Sequence, residues 1–168
     1  MKKSILSALA ILLGIALSAQ STNNLDFEIL ENEKSKEWSF FGGGKHTVSF
    51  DATTSQRGKI SGKIESVSDG SDFKALAYSI PADFGGKKIK LTGYIKTENV
   101  ANGFAGLWMR IDPQVAFDNM QSRGIKGTTD WTKYEIELDY SNNAKTVVVG
   151  GLLVGTGKLW IDNLEVTI

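Results

Sequence analysis

In the segment 107–112, aliphatic residues alternate with an aromatic residue and two charged residues. Trp108, Arg110 and Asp112 alternate with the aliphatic residues of 107–111, so in an extended strand the two sets lie on opposite faces. If the aliphatic set faces a core, then an indole, a guanidinium and a carboxylate share the other face. An aromatic ring beside such a charged pair can stack on a sugar ring or a peptide and hydrogen-bond to its polar groups.

The same reasoning extends the candidate ligand-binding site beyond this strand. Tyr94 lies on the non-core face of its own predicted strand, and polar side chains of the segment Asp112–Asp130 are expected to flank the site. The candidate ligand-binding residues are Tyr94, Trp108, Arg110, Asp112, Asp118, Asn119 and Arg123. Two placements of Trp108 stay open: an exposed stacking platform, or a ring covered by Asp112–Asp130, whose own apolar residues need a place to pack.

Composition removes most catalytic, metal and nucleic-acid chemistry. The 168 residues include no cysteine and one histidine, which excludes thiolate nucleophiles and cysteine-ligated metals. That histidine, His46, follows three glycines and is predicted to lie on the surface at the start of a strand. Basic and acidic residues number 19 each, so no basic excess indicates a nucleic-acid partner. Paired-carboxylate chemistry needs no histidine, and Asp112, Asp118 and Asp130 therefore keep a hydrolase open as an alternative.

Short runs with period-two alternation predict an all-β chain. The predicted strands are Thr47–Ala52, Gly58–Ser66, Lys74–Ile80, Lys88–Thr97, Ala105–Ile111, Trp131–Asp139, Thr146–Val154 and Lys158–Thr167. Glycine, asparagine, aspartate and serine separate these runs, and Asp112–Asp130 is the longest segment without strand character, predicted to be an ordered, packed loop. We predict an antiparallel two-sheet jelly-roll β-sandwich of about eight strands, with Trp131 and Trp160 as structural residues at sheet ends.

The amino terminus has the layout of a secretory signal peptide. Two lysines precede an apolar run over 5–17, and small residues follow, with cleavage after Ala19 or Gln20. The apolar run is shorter than the ~20 residues that cross a bilayer comfortably. We therefore expect residues 1–20 to be a signal peptide and 21–168 to form a single domain, periplasmic or secreted, with no stable membrane span.

Both ends of the predicted domain carry a resemblance to known proteins. The segments concerned are Asn24–Glu28 with Trp38, Ser61–Ile64, and Leu159–Val166. They resemble carbohydrate-binding modules with the galactose-binding-like jelly roll. In such modules an early glutamate and a late aspartate often hold a structural calcium ion, and Glu28 and Asp162 are the matching positions. The resemblance thus implies a galactose-binding-like fold and a candidate calcium site, since oxygen ligands suit calcium.

A second resemblance covers the region from Gly93 to Val166. It is carried by Gly106–Asp112, Ala116–Met120, Gly124–Trp131 and Gly150–Gly157. These segments look like a non-catalytic β-sandwich domain found ahead of bacterial tail-specific peptidases and erythromycin-esterase-like hydrolases. Stand-alone copies often carry the label of transcriptional regulator, which fits poorly with a secretion signal, no helix-turn-helix pattern and no basic face.

These observations predict a secreted, non-catalytic ligand-binding module, with carbohydrate as the expected ligand. Tyr94 and Trp108 are expected to stack on a sugar ring while Arg110 and the nearby carboxylates hydrogen-bond to its hydroxyls. One alternative is a protein-interaction or accessory module for an envelope peptidase or esterase, using the same face. A second is a small secreted carboxylate-dependent hydrolase.

Overall fold

The computed structural model describes residues 23–32, 34–66, 72–113, 116–140 and 143–168, so the predicted signal peptide lies outside the described residues. The elements are β1 (Leu30–Glu31), β2 (Lys34–Ser35), β3 (Trp38–Gly42), β4 (His46–Asp51), β5 (Ser61–Ser66), β6 (Phe73–Pro81), β7 (Lys88–Asp112), β8 (Ala116–Asp118), a 3-10 turn (Gln121–Arg123), β9 (Ile125–Asp139) and β10 (Thr146–Thr167). Within these ranges we find no helix with the length and hydrophobicity needed to cross a membrane.

Two long strands organise the fold. β7 and β10 pair antiparallel along their lengths, from Thr146 opposite Asp112 to Thr167 opposite Lys90. The first half of β10 pairs on its other side with β6, which in turn pairs with β3, and the second half pairs with β5, followed by β4. β8 lies beside the end of β7, and β9 runs mainly beside its first half. Sheet I therefore has the order β3-β6-β10-β7-β8, and sheet II the order β4-β5-β10-β7-β9.

Bulges carry both long strands from one sheet to the other. The β7–β10 register shifts between residues 154 and 158, and the backbone there is left-handed at Gly155 (φ +81°) and Gly157 (φ +112°). On β7 the neighbouring positions Asn99 and Asn102 are also left-handed, a conformation that glycine and asparagine tolerate best. A bulge bends its strand without ending it, and strands that switch sheets in this way form the corner of a sandwich.

The core lies between the two sheets and is built from one face of each strand. From β7 and β10 it takes Ile89, Leu91, Ile95, Leu107, Met109, Ile111, Val147, Val149, Leu153, Leu159 and Ile161. Phe27 precedes the first strand and is fully buried at one end, where its ring stacks on Trp38 at a centroid distance of 4.2 Å. The predicted all-β jelly-roll β-sandwich and the inward faces of its long strands are confirmed.

The structure differs from the predicted strands at the corner and at the edges. The four predicted strands at 88–97, 105–111, 146–154 and 158–167 are two continuous strands, because Gly and Asn there form bulges and not turns. The predicted loop Asp112–Asp130 contains β8, the 3-10 turn and the beginning of β9. Its apolar residues divide: Met120 and Ile125 are buried, whereas Phe117 is exposed.

Gly150 on β10 tests how tightly the centre of sheet I is packed. A Cβ atom at this position would lie 1.9 Å from the carbonyl oxygen of Leu76 on β6, so the two strands would have to separate. We expect Gly150→Ala to lower the free energy of unfolding by about 2–4 kcal/mol in a urea titration. Gly43→Ala is the matched control, because nothing lies within 4 Å of its added methyl group. Equal losses in the two variants would contradict this packing.

Candidate functional site

The outward face of sheet I carries an apolar groove of 390 Å³. Side chains that alternate with the core residues of β6, β7 and β10 form its floor, and residues from β3, β8 and the turn after β8 complete the walls. The lining residues are Phe41, Phe73, Ala75, Phe104, Trp108, Arg110, Phe117, Asn119, Gln121, Leu152 and Val154. Apolar concavities with a few polar groups are the usual form of a small-molecule site.

Trp108 lies in the floor of the groove. It stands opposite Gly150 on β10, which in turn pairs with Ala77 on β6, so two small residues leave room for the indole beside them. The ring packs with Val148 and Leu152 and is only 8% exposed. The indole of Trp108 is therefore mostly covered and is not a fully exposed stacking platform. Small and aliphatic side chains of its own sheet contribute to the cover.

Phenylalanine side chains form much of the groove walls. Phe41 meets the indole of Trp108 edge-on, with ring centroids 5.9 Å apart and planes at 65°. Phe41 is 45% exposed, Phe117 on the opposite wall is 54% exposed, and Phe73 is similarly open. Large apolar side chains that gather in a concave surface and stay exposed mark a binding site.

Arg110 brings a charge into the groove that is already paired. Its Nε and Nη2 atoms donate to Oδ2 of Asp112 at 3.1 and 2.8 Å. The guanidinium carbon lies 5.6 Å from the centroid of the Trp108 ring, within the range of a cation–π contact. The guanidinium is thus held by a carboxylate and an aromatic ring, and the pair adds little net charge to the groove.

Asp118 and Arg123 shape the turn that follows β8. Asp118 accepts hydrogen bonds from Nη2 of Arg123 at 2.7 Å and from the backbone N–H of Met120 at 2.7 Å. Burial tends to raise the pKa of Asp118, but the hydrogen bonds from Arg123 and from backbone N–H groups outweigh it and hold the pKa below its usual value. Neither residue lines the groove; instead, the two fix the turn that places Asn119 and Gln121 in its wall.

The structure brings six of the seven predicted ligand-binding residues to this region. Trp108, Arg110 and Asn119 line the groove, with Asp112, Asp118 and Arg123 as ion-pair partners in and behind its wall. Aromatic lining residues that the sequence did not single out include Phe41 and Phe104. Phe41 follows a second phenylalanine, so the alternation that would have indicated its face is missing.

Tyr94 does not belong to the groove, and the prediction that it shares a face with Trp108 is wrong. Tyr94 pairs with Lys133 and Asp162 in sheet II. β7 passes the corner between Tyr94 and Trp108. The outward side of its first half therefore belongs to the opposite surface of the sandwich.

Glu28 and Asp162 both bind the segment that precedes β5. Oδ2 of Asp162 accepts the backbone N–H groups of Gln56 and Arg57 at 2.7 and 3.0 Å. Oε1 of Glu28 accepts those of residues 59 and 60 at 2.8 and 2.9 Å. Asp162 is fully buried, and burial, assisted by the nearby carboxylate of Glu28, raises its pKa despite the backbone hydrogen bonds.

These two carboxylates supply at most four oxygens, fewer than the six to eight ligands that calcium prefers. Three of their four oxygens already accept N–H donors, since Oδ1 of Asp162 accepts the N–H of Asn163 at 2.6 Å. In the described ranges, no group of three or more His, Cys, Asp or Glu residues is placed to hold a metal ion. The observed role of Glu28 and Asp162 is to accept the backbone N–H groups of the segment that precedes β5.

A calcium titration tests this account of Glu28 and Asp162. We expect the same thermal unfolding midpoint in calcium and in EDTA, because two carboxylates that already accept backbone N–H groups supply too few further oxygens for a calcium ion. Asp162→Ala is expected to lower the midpoint, since it leaves three N–H groups without their acceptor. A calcium-dependent rise that disappears in Glu28→Gln would contradict this account and establish a calcium site.

His46 is a buried side chain, and the prediction of a surface histidine is wrong. It begins β4 as expected, but its ring is 7% exposed, and neither ring nitrogen finds a hydrogen-bond partner among the described residues. Burial lowers the pKa of His46; Lys74 acts in the same direction, while the backbone of Gly155 and the carboxylate of Asp72 act against it. The histidine is outside the lining of the groove.

No family model matches the chain. A curated relative, "Uncharacterized HTH-type transcriptional regulator YbfP" of Bacillus subtilis (strain 168), is 36% identical over 143 residues. The match covers 79% of this chain and 48% of the relative, so the chain spans about half the length of the curated relative it matches.

Solved structures with a similar fold include several carbohydrate-binding modules. TmCBM61 in complex with β-1,4-galactotriose has a TM-score of 0.55 at 11% identity, over 86% of this chain and 94% of that chain. The CBM22-1 xylan-binding domain from Paenibacillus barcinonensis has a TM-score of 0.52 at 14% identity, over 84% and 89%. The enzymatically active domain of bacteriophage CBA120 tailspike protein 4 has a TM-score of 0.62 at 14% identity, over 87% and 21%. The chain has the β-sandwich fold of carbohydrate-binding modules.

Proposed function

We propose that the protein is a non-catalytic module that binds carbohydrate in the groove of sheet I. The observation that carries the proposal is the exposed aromatic lining of a concave sheet face, with Trp108 in its floor. The fold gives independent support, because fold neighbours include a module solved with a galactotriose and a xylan-binding domain.

The groove offers the two kinds of contact that a sugar ring needs. The C–H groups of a pyranose can pack against the aromatic lining, as apolar surfaces do against aromatic side chains. The hydroxyls at the ring edge can hydrogen-bond to the side chains of Asn119, Gln121 and Arg110. Aromatic rings supply contact area and the polar groups fix the orientation.

The surroundings of Asp112, Asp118 and Asp130 favour a binding role over hydrolysis. A glycosidase needs a carboxyl that stays protonated to act as the general acid. Arg123 and backbone N–H groups hold the pKa of Asp118 below its usual value, as the N–H of Trp131 and Lys96 do for Asp130. Asp112 is ion-paired with Arg110. The proposal therefore assigns no catalytic residue.

Secretion and export to the periplasm belong to the same proposal. They rest on the signal-peptide layout of residues 1–20, with 21–168 as the folded binding module. The same aromatic groove is where a peptide from an envelope enzyme would bind if the protein were an accessory module. Binding measurements with purified glycans separate the two functions.

Phe41 and Phe40 offer a matched pair for testing the groove. The two residues are adjacent on β3 and similarly exposed, at 45% and 58%, but only Phe41 lines the groove. In calorimetric titrations with galactan and xylan oligosaccharides, we expect Phe41→Ala to weaken binding about tenfold, because one aromatic wall is lost. Phe40→Ala should leave affinity unchanged.

Unfolding midpoints of both variants provide the control for folding, and both should stay close to that of the parent protein. Failure of the parent protein to bind any glycan would overturn the proposal. Equal weakening by the two substitutions would place the binding surface outside the groove.

A further inference from the structure

The polar groups of the groove are confined to one wall. Arg110 belongs to β7, and Asn119 and Gln121 belong to the turn that follows β8, so all three stand on the same side of the floor. The opposite wall is formed by Phe41 from β3 and Phe73 from β6. Between them the floor includes Ala75, Trp108, Leu152 and Val154, and Phe117 on β8 shares the wall of the polar groups.

The side chains of the apolar wall offer no partner to a hydroxyl group. Phenylalanine carries no donor or acceptor, and behind the rings residues 74–78 of β6 pair with β3 on one side and with β10 on the other. An ordinary hexose carries hydroxyls around its whole edge. Any hydroxyl turned toward Phe41 and Phe73 would lose its water without gaining a hydrogen bond, which is costly.

The polar wall does not call for an acidic sugar. Arg110 is the charged residue in the lining, and its guanidinium is already bound by Asp112 and packed on Trp108. Asp112 already neutralises the charge of Arg110, so the carboxylate of a uronic acid would gain little net attraction. The N–H groups of Arg110 that do not bind Asp112 can donate to neutral hydroxyls. The side chains of Asn119 and Gln121 are neutral. The lining therefore suits an uncharged sugar with hydroxyls along one edge.

Given that the groove binds carbohydrate as proposed above, we propose that it selects a neutral sugar unit bearing a methyl group where ordinary hexoses carry a hydroxyl. The methyl group packs against Phe41 and Phe73, and the hydroxyls of the opposite edge face Asn119, Gln121 and Arg110. Such a methyl group is present in 6-deoxyhexoses and in sugars with an O-acetyl substituent.

Matched ligands test the selection and separate the two sources of the methyl group. In the first arm, methyl glycosides of L-fucose and L-galactose are compared, since they differ only in the hydroxyl at C6. In the second arm, O-acetylated xylan oligosaccharides are compared with the same oligosaccharides after alkaline deacetylation. We expect the methyl-bearing member of at least one pair to bind about tenfold more tightly.

Substitutions locate the preference within the groove. Phe73→Ala should bring the affinity ratio of the selected pair close to one, because it opens the apolar wall to water. Phe40→Ala, outside the groove, should keep the ratio of the parent protein. Equal affinities within both pairs would overturn the selectivity while leaving carbohydrate binding in place. Absence of binding to every glycan would overturn both proposals.

Discussion

The pairing of β7 with β10 is the interaction on which the rest of the structure depends. These two strands are central in both sheets, and they stay paired while crossing the corner between them. The corner is possible because Gly155 and Gly157 adopt left-handed backbone and the register shifts around them. Without that bend, the inward side chains of the two halves would not face one another across one core.

The same crossing gives the protein two different outer surfaces. Sheet I turns Trp108 and the phenylalanines outward, whereas sheet II carries ion pairs such as Lys88–Glu137 and Lys158–Glu98, both at short distances of 2.6 and 2.8 Å. Exposed pairs of this kind add little to stability because water screens the charges, but they keep the surface well hydrated. Trp160 on sheet II is buried under Lys63 and donates to Asp51 at 2.8 Å. Its indole is a structural element, in contrast to the indole in the groove.

Period-two alternation made most of the fold predictable from the sequence. It located the strand segments and their inward faces, and it placed Trp108, Arg110 and Asp112 on one surface. The sequence does not distinguish turns from bulges at the corner, because glycine and asparagine are common in both. Only the long-range pairing of the strands distinguishes the two. The misplacement of Tyr94 followed directly, since the direction of an outward face depends on which side of the corner a residue lies. The groove walls around Phe41 and Phe117 could not be predicted from the sequence, because short edge strands contain too few residues to show a periodic pattern.

The central claim is that the groove of sheet I is the ligand-binding surface, and the indole N–H signals of the four tryptophans report on it directly. They can be followed by two-dimensional NMR while a neutral oligosaccharide is added. Our account predicts that the signal of Trp108 moves with saturation, while those of Trp38, Trp131 and Trp160 stay in place. Movement of the Trp160 signal with an unchanged Trp108 signal would place the ligand on sheet II and contradict the account.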